Sequence, residues 1–157
     1  MSNSSDLSLY LLSIRGTLAS PTLEAARAVH NQTAGAPANI AVAQSLGDVS
    51  HMVYVPLGDA QKDSREFLIL DIWNSMDGLN QFFSNPQVQH QAGEIFANRD
   101  PVVWSAAEGF VGYNLPAPYG KNDRIVSIAR GTVPSVEKAR QIHNANAAST
   151  TIPAPKT

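Results

Sequence analysis

The chain has 157 residues, of which 43% are hydrophobic and 15% charged, with a net charge of −2 and no cysteine. That length allows one core of ordinary size but not two comfortable domains, and the near-neutral charge excludes an electrostatic grip on nucleic acid or anionic membrane. The lack of cysteine excludes disulfides, thiolate metal sites and a thiol nucleophile. No apolar run reaches the ~20 residues of a membrane helix. The polar start, Met1 to Asp6, is expected to be disordered and has no secretory pattern. A cytoplasmic protein with small-molecule partners is the expectation.

In chain order, residues 7–16 carry apolar groups on both faces, the mark of a strand buried on two sides. Ser20-Pro21 predicts a helix start. At ~100° per residue, Leu23, Ala26 and His30 fall on one stripe of that helix, with Arg27 and Val29 at its margins. A second, short helix is expected over 37–46, stopped by Gly47. His51 to Val55 reads as a strand with His51, Val53 and Val55 on one face and Met52 and Tyr54 on the other. After a polar loop, Glu66 to Trp73 reads as its antiparallel neighbour.

Asn74-Ser75 predicts the cap of a helix bearing Leu79, Phe82 and Phe83, and Asn85-Pro86 restarts the chain as another. There Val88, Ala92, Ile95 and Phe96 form the buried side, and His90 faces solvent. Asp100-Pro101 is expected to end that helix and residues 102–115 to form a long strand. The domain so defined spans 7–115. Residues 116–123 have linker composition, and 148–157 that of a flexible tail.

Between linker and tail, an earlier passage returns. Pro21-Thr-Leu-Glu-Ala-Ala-Arg-Ala-Val-His-Asn31 aligns without a gap on Pro134-Ser-Val-Glu-Lys-Ala-Arg-Gln-Ile-His-Asn144, and Ser-Ile-Arg-Gly-Thr at 13–17 returns as Ser-Ile-Ala-Arg-Gly-Thr at 127–132. Residues 124–147 therefore read as a partial second repeat, one strand plus one helix, and each copy sets a histidine on the apolar stripe between Arg and Asn.

Strand, helix, strand, strand, helix, strand is the ferredoxin-like arrangement, an α+β fold with helices on one face of a four-stranded antiparallel sheet. The other face, apolar as well, needs a cover. A homodimer through that sheet face is the expected one. This order of elements, the passage Asp71-Ile-Trp-Asn-Ser-Met-Asp-Gly-Leu79, the Phe82-Phe83 pair and Asn85-Pro86-Gln87-Val88 together resemble the dimeric α+β barrel superfamily. Within it the chain is similar to antibiotic biosynthesis monooxygenase-like proteins, of tandem type with a truncated second unit.

The resemblance implies a cavity between sheet and helices. The candidates that its helix and strands offer are His30, His51 and Arg27 as catalytic groups, and Asn31, Tyr54, Trp73 and Trp104 as substrate-binding groups. A histidine base, with Arg or Asn steadying an enolate-like oxyanion, lets an electron-rich substrate meet dioxygen without a metal. No cofactor is expected. Where haem-degrading members of the superfamily carry their Trp and axial His, this chain has Phe82 and Phe83, and no ligand spacing for a metal occurs. The alternative is a non-catalytic ligand-binding or oligomerisation module, in which the histidines are hydrogen-bonded core residues, the tryptophans pack the core, and Arg and His bind a carboxylate of a neighbouring unit.

Overall fold

The computed structural model describes residues 8–58, 64–111 and 126–149. Its elements run β1 (Tyr10–Leu18), α1 (Leu23–Gln32), α2 (Pro37–Ser45), β2 (Asp48–Tyr54), β3 (Glu66–Trp73), α3 (Met76–Ser84), α4 (Pro86–Ile95), β4 (Phe96–Ser105) and α5 (Val136–Ser149). The chain divides into two compact units, Met1–Ala106 and Ala107–Thr157. The expected disordered start, linker and most of the tail lie outside the described residues.

In the first unit the strands pair antiparallel in the order β2-β3-β1-β4. Strict alternation builds its core. Leu12, Ile14 and Leu18 of β1 and Phe67, Ile69 and Trp73 of β3 turn to one side of the sheet, where Ala26 of α1, Ala43 of α2, Leu79 of α3 and Ile95 of α4 meet them. Burial of each large side chain contributes roughly 1.5–3 kcal/mol, so this layer holds the helices down. Caps fix where they begin. Thr22 Oγ1 accepts from the Ala25 amide at 3.2 Å, Ser75 Oγ from Gly78 at 3.0 Å, and Asn85 Oδ1 from Gln87 at 2.9 Å.

Three expectations need correction. Thr22, not Ser20, caps α1, because its extended backbone aims the hydroxyl at the first turn. The fourth strand begins at Phe96 rather than 102, directly out of α4, since the Phe96 ring is buried against Phe67 at a centroid distance of 5.7 Å. Pro101 sits inside that strand, opposite Ile14, because β4 is an edge and needs only half its amide donors. Its reach to 115 is not observed, as β4 ends at Ser105 and residues 112–115 lie outside the described ones.

The second unit has the expected helix, but residues 126–130 form no strand. Its helix instead holds the turn at Glu108-Gly109 and the two residues after it. Asn144 Oδ1 accepts from the Val111 amide at 2.9 Å, Asn144 Nδ2 donates to Gly109 O at 2.9 Å, His143 Nε2 meets Val111 O at 2.9 Å, and the Phe110 ring lies 5.5 Å from that of His143. Arg140 donates to Glu108 O at 3.4 Å.

Candidate active site

β2 opens with a bulge between Asp48 and Ser50. That extra residue sets the phase of the strand, so that Asp48 lies opposite Trp73 and His51 opposite Asp71. Residues directly opposite in an antiparallel pair share a face. His51 and Asp71 therefore both lie on the core side, with Leu12, opposite Asp71 on its other flank, among the buried residues. Above them, α1 approaches closely at Ala26, which has no exposed surface, and His30 follows one turn later at 8% exposure.

The result is a hydrogen-bonded chain. His51 Nδ1–H donates to Asp71 Oδ1 at 2.7 Å, His51 Nε2 meets His30 Nε2 at 3.0 Å, and His30 Nδ1 meets Asn31 Oδ1 at 3.2 Å. The two imidazole centroids are 5.3 Å apart with 13° between planes. That separation is the N···N distance plus the two ring radii, so the rings meet edge to edge in nearly one plane, not face on face. Phe67 closes one side, its ring 6.3 Å from His30. Gly35 lets the backbone pack close on another, since a Cβ there would stand 3.2 Å from both Nδ1 and Cε1 of His30.

Electrostatics separate the two rings. Burial lowers the pKa of His30, and the nearby charge of His51 adds to this, outweighing the lift from Asn31 and Asp71. Burial also pulls on His51, but its hydrogen bond to Asp71 and the charges of Asp71 and Asp48 together raise it above its ordinary value. Asp48, half-buried beside Asp71, is pushed up to about 6 by burial first and by the Asp71 charge second.

Of the expected site residues, the structure brings together His30, His51 and Asn31. Trp73 lies on the same side of the sheet, fully buried against Phe82 and Phe83, and its Nε1–H has no acceptor among the described residues. Tyr54 pairs with Leu68 and Trp104 with Leu11, which places both on the opposite, outer face, where Trp104 Nε1–H donates to Ser13 Oγ at 2.8 Å. Arg27 is exposed on α1. Asp71, Asp48 and Gly35 escaped the sequence pattern search. The signal for Asp71 was present, because in Phe67-Leu-Ile-Leu-Asp-Ile-Trp73 it occupies a slot of the buried period, and a carboxylate there demands a partner.

A shallow polar cavity of about 420 Å³ lies elsewhere, at the start of β3, lined by Arg15, Thr17, Ser64, Arg65, Glu66 and Asn98 among others. Among the described residues no group of three or more His, Asp or Glu is placed to hold a metal ion, and no helix is long and apolar enough to cross a membrane.

Strand order and pairing define a ferredoxin-like α+β fold. No protein-family model and no curated protein matches the chain. Similar solved structures include a dimeric ferredoxin-like protein from an uncultured marine organism, 10% identical, covering 68% of this chain and 94% of that one, with a TM-score of 0.50. SnoaB, a cofactor-independent oxygenase from Streptomyces nogalater, is 17% identical over 64% of this chain and 95% of that one, with a TM-score of 0.48. A protein described as an antibiotic biosynthesis monooxygenase from Chloroflexus aurantiacus is 20% identical over 68% and 98%, with a TM-score of 0.44. At these identities the likeness is one of fold.

Proposed function

We propose that the first unit binds a small, largely apolar or aromatic molecule and uses His30 as a base to form its oxyanion, which reacts with dioxygen without a metal or organic cofactor. One oxygen atom enters the substrate, and the other leaves as water with two hydrogens that the substrate gives up. The observation that carries the reading is the Asp71–His51–His30 chain. A purely structural histidine on an apolar stripe needs one partner, whereas here a buried carboxylate orients a second ring that polarises the first, the logic of an oriented base. Trp73 adds support, since a buried N–H without an acceptor costs stability unless a ligand oxygen takes it.

The test is oxygen uptake with a panel of aromatic and quinol-type compounds. His30→Ala and His51→Ala are expected to lower the rate 10²–10⁴-fold, the usual worth of a general base. Uptake that ignores both substitutions takes the histidines out of the chemistry.

A second reading, a non-catalytic binding or assembly module, is favoured by α5, where the repeated Arg, His and Asn side chains hold backbone. A substrate panel without any uptake selects it. For either reading we propose a homodimer through the outer sheet face. Leu11 and Trp104 there are each 39% exposed, beside Leu70, Ile72 and Met52, and the marine protein of like fold is described as dimeric.

A further inference from the structure

Every ring nitrogen of the histidine pair is engaged, and the acceptors locate the protons. Asp71 Oδ1 and Asn31 Oδ1 both accept, so His51 Nδ1 and His30 Nδ1 both carry hydrogen in this arrangement. Two neutral rings of that tautomer would turn bare Nε2 lone pairs on each other at 3.0 Å. One shared proton removes the clash, so the geometry is that of a pair holding a single positive charge. Its ends differ. Asp71, at 3% exposure, closes the His51 end. At the His30 end the partner Asn31 is exposed, and Gly35 puts no side chain over Nδ1.

Resting on the reading of His30 as the base, we infer that the base is a two-ring relay: His30 Nδ1 takes an acidic O–H proton from a phenol, enol or quinol that displaces the exposed Asn31 side chain beside Gly35, and His51, held by Asp71, ends with the positive charge. In the neutral pair, His30 carries its hydrogen on Nε2, directed at the lone pair of His51 Nε2, and the Asn31 amide is turned so that its Nδ2–H donates to the bare Nδ1. As the substrate O–H bond breaks, the proton joins His30 Nδ1, the His30 Nε2–H bond breaks and the His51 Nε2–H bond forms. The substrate keeps the electron pair as an oxyanion facing a neutral ring. Asp71 is a positioning residue, since it acts through His51, whose Nδ1–H it accepts.

The charged groups facing the pair are Asp71 from β3 and Asp48 from β2, and both carboxylates favour charge on His51. Opposite displacements of the two histidines point the same way: the ring beside exposed Asn31 resists keeping a proton, and the ring behind it retains one.

Full-length protein labelled with ¹⁵N in its histidine rings, titrated by NMR from about pH 5 to about pH 9, reads the hydrogen on each ring nitrogen. The expected result is one transition shared by the pair, in which His30 Nδ1 passes between bare and protonated while His51 passes between one ring hydrogen and two. Asp71→Asn should lower that transition by about one unit or more, roughly tenfold in proton affinity, and leave the charge on His30. If that variant does not fold, Asn31→Ala serves, with the charge expected to stay on His51 and the Nδ1 hydrogen to exchange faster. Phenol, used as a minimal O–H ligand, should shift the His30 Nδ1 signal, and Gly35→Ala should weaken its binding at least about fivefold while leaving the titration in place.

Imidazolium resident on His30, a transition unmoved by Asp71→Asn, an Nδ1 hydrogen whose exchange Asn31→Ala does not speed, or phenol binding untouched by Gly35→Ala overturns the relay. The two proposals fail separately. Charge on His51 without oxygen uptake removes the oxygenase reading alone, and His30-dependent uptake with the charge on His30 removes the relay alone.

Discussion

Asp48 stands where β2 departs from a regular pleat, and its carboxyl group shows what the bulge imposes. Because its folded pKa is raised to about 6 from an ordinary 3.8, the native state holds a proton that the unfolded chain has released. The stability this contributes is complete below the ordinary value and lost as pH rises through about 6. Asp48→Asn keeps the acceptor for the Ser50 amide and removes the titration. Denaturant melts should therefore show the variant gaining on the parent by on the order of 1 kcal/mol between about pH 4 and about pH 7.5, after allowance for solvent screening. A pH-independent difference would mean that the carboxyl is solvated. Trp73→Phe tests another local cost. It deletes an N–H that lacks an acceptor among the described residues and keeps most of the packing on Phe82 and Phe83, so thermal stability should hold or rise while ligand affinity falls.

At the scale of elements, α1 and α5 carry the same Arg, His and Asn but put them to different use. In α1 the stripe is buried and His30 faces the strands, whereas in α5 His143 is exposed and grips backbone. Glycine records the same contrast. A Cβ on Gly16 would stand 2.1 Å from the Asn98 carbonyl oxygen, whereas Gly131, its counterpart, has open space around it. The α5 grip is testable, because Asn144→Ala removes the acceptor for the Val111 amide. Loss of one such bond, about 1 kcal/mol, should speed hydrogen exchange at Val111 roughly fivefold and leave β1–β3 amides alone. Most of this level was legible in the sequence. Period and caps foretold β3, α2, α3 and the start of α4, and they placed His30 on the buried stripe. The start of β4 was not, because Phe96 satisfies a helical period and a strand end equally well, and Asp100-Pro101 imitates a helix stop. Nor was the pairing of His51 with Asp71, which depends on a bulge at Asp48 that leaves no mark in composition.

For the molecule as a whole, the proposed dimer rests on the outer sheet face. Leu11 and Trp104 lie directly opposite one another on it, and with Leu70, Ile72 and Met52 they present apolar surface of the kind that closed pairs of sheets bury. Light scattering should give twice the chain mass. Leu11→Glu, which sets a charge at the centre of that face, should give one chain mass with an unchanged far-ultraviolet circular dichroism spectrum. A parent that stays monomeric over a hundredfold range of concentration, on the order used to separate weak dimers from tight ones, removes the dimer.

The two sides of this sheet each carry one tryptophan, and the chain has only those two. Trp73 is sealed among aromatic rings on the helix side, and Trp104 is part-exposed on the other. Their emission therefore divides by colour. The blue component answers to whatever enters beneath the helices, and the red component shifts when the outer face is covered. Occupancy and assembly can thus be followed at once in unlabelled protein, with Trp73→Phe isolating the red signal.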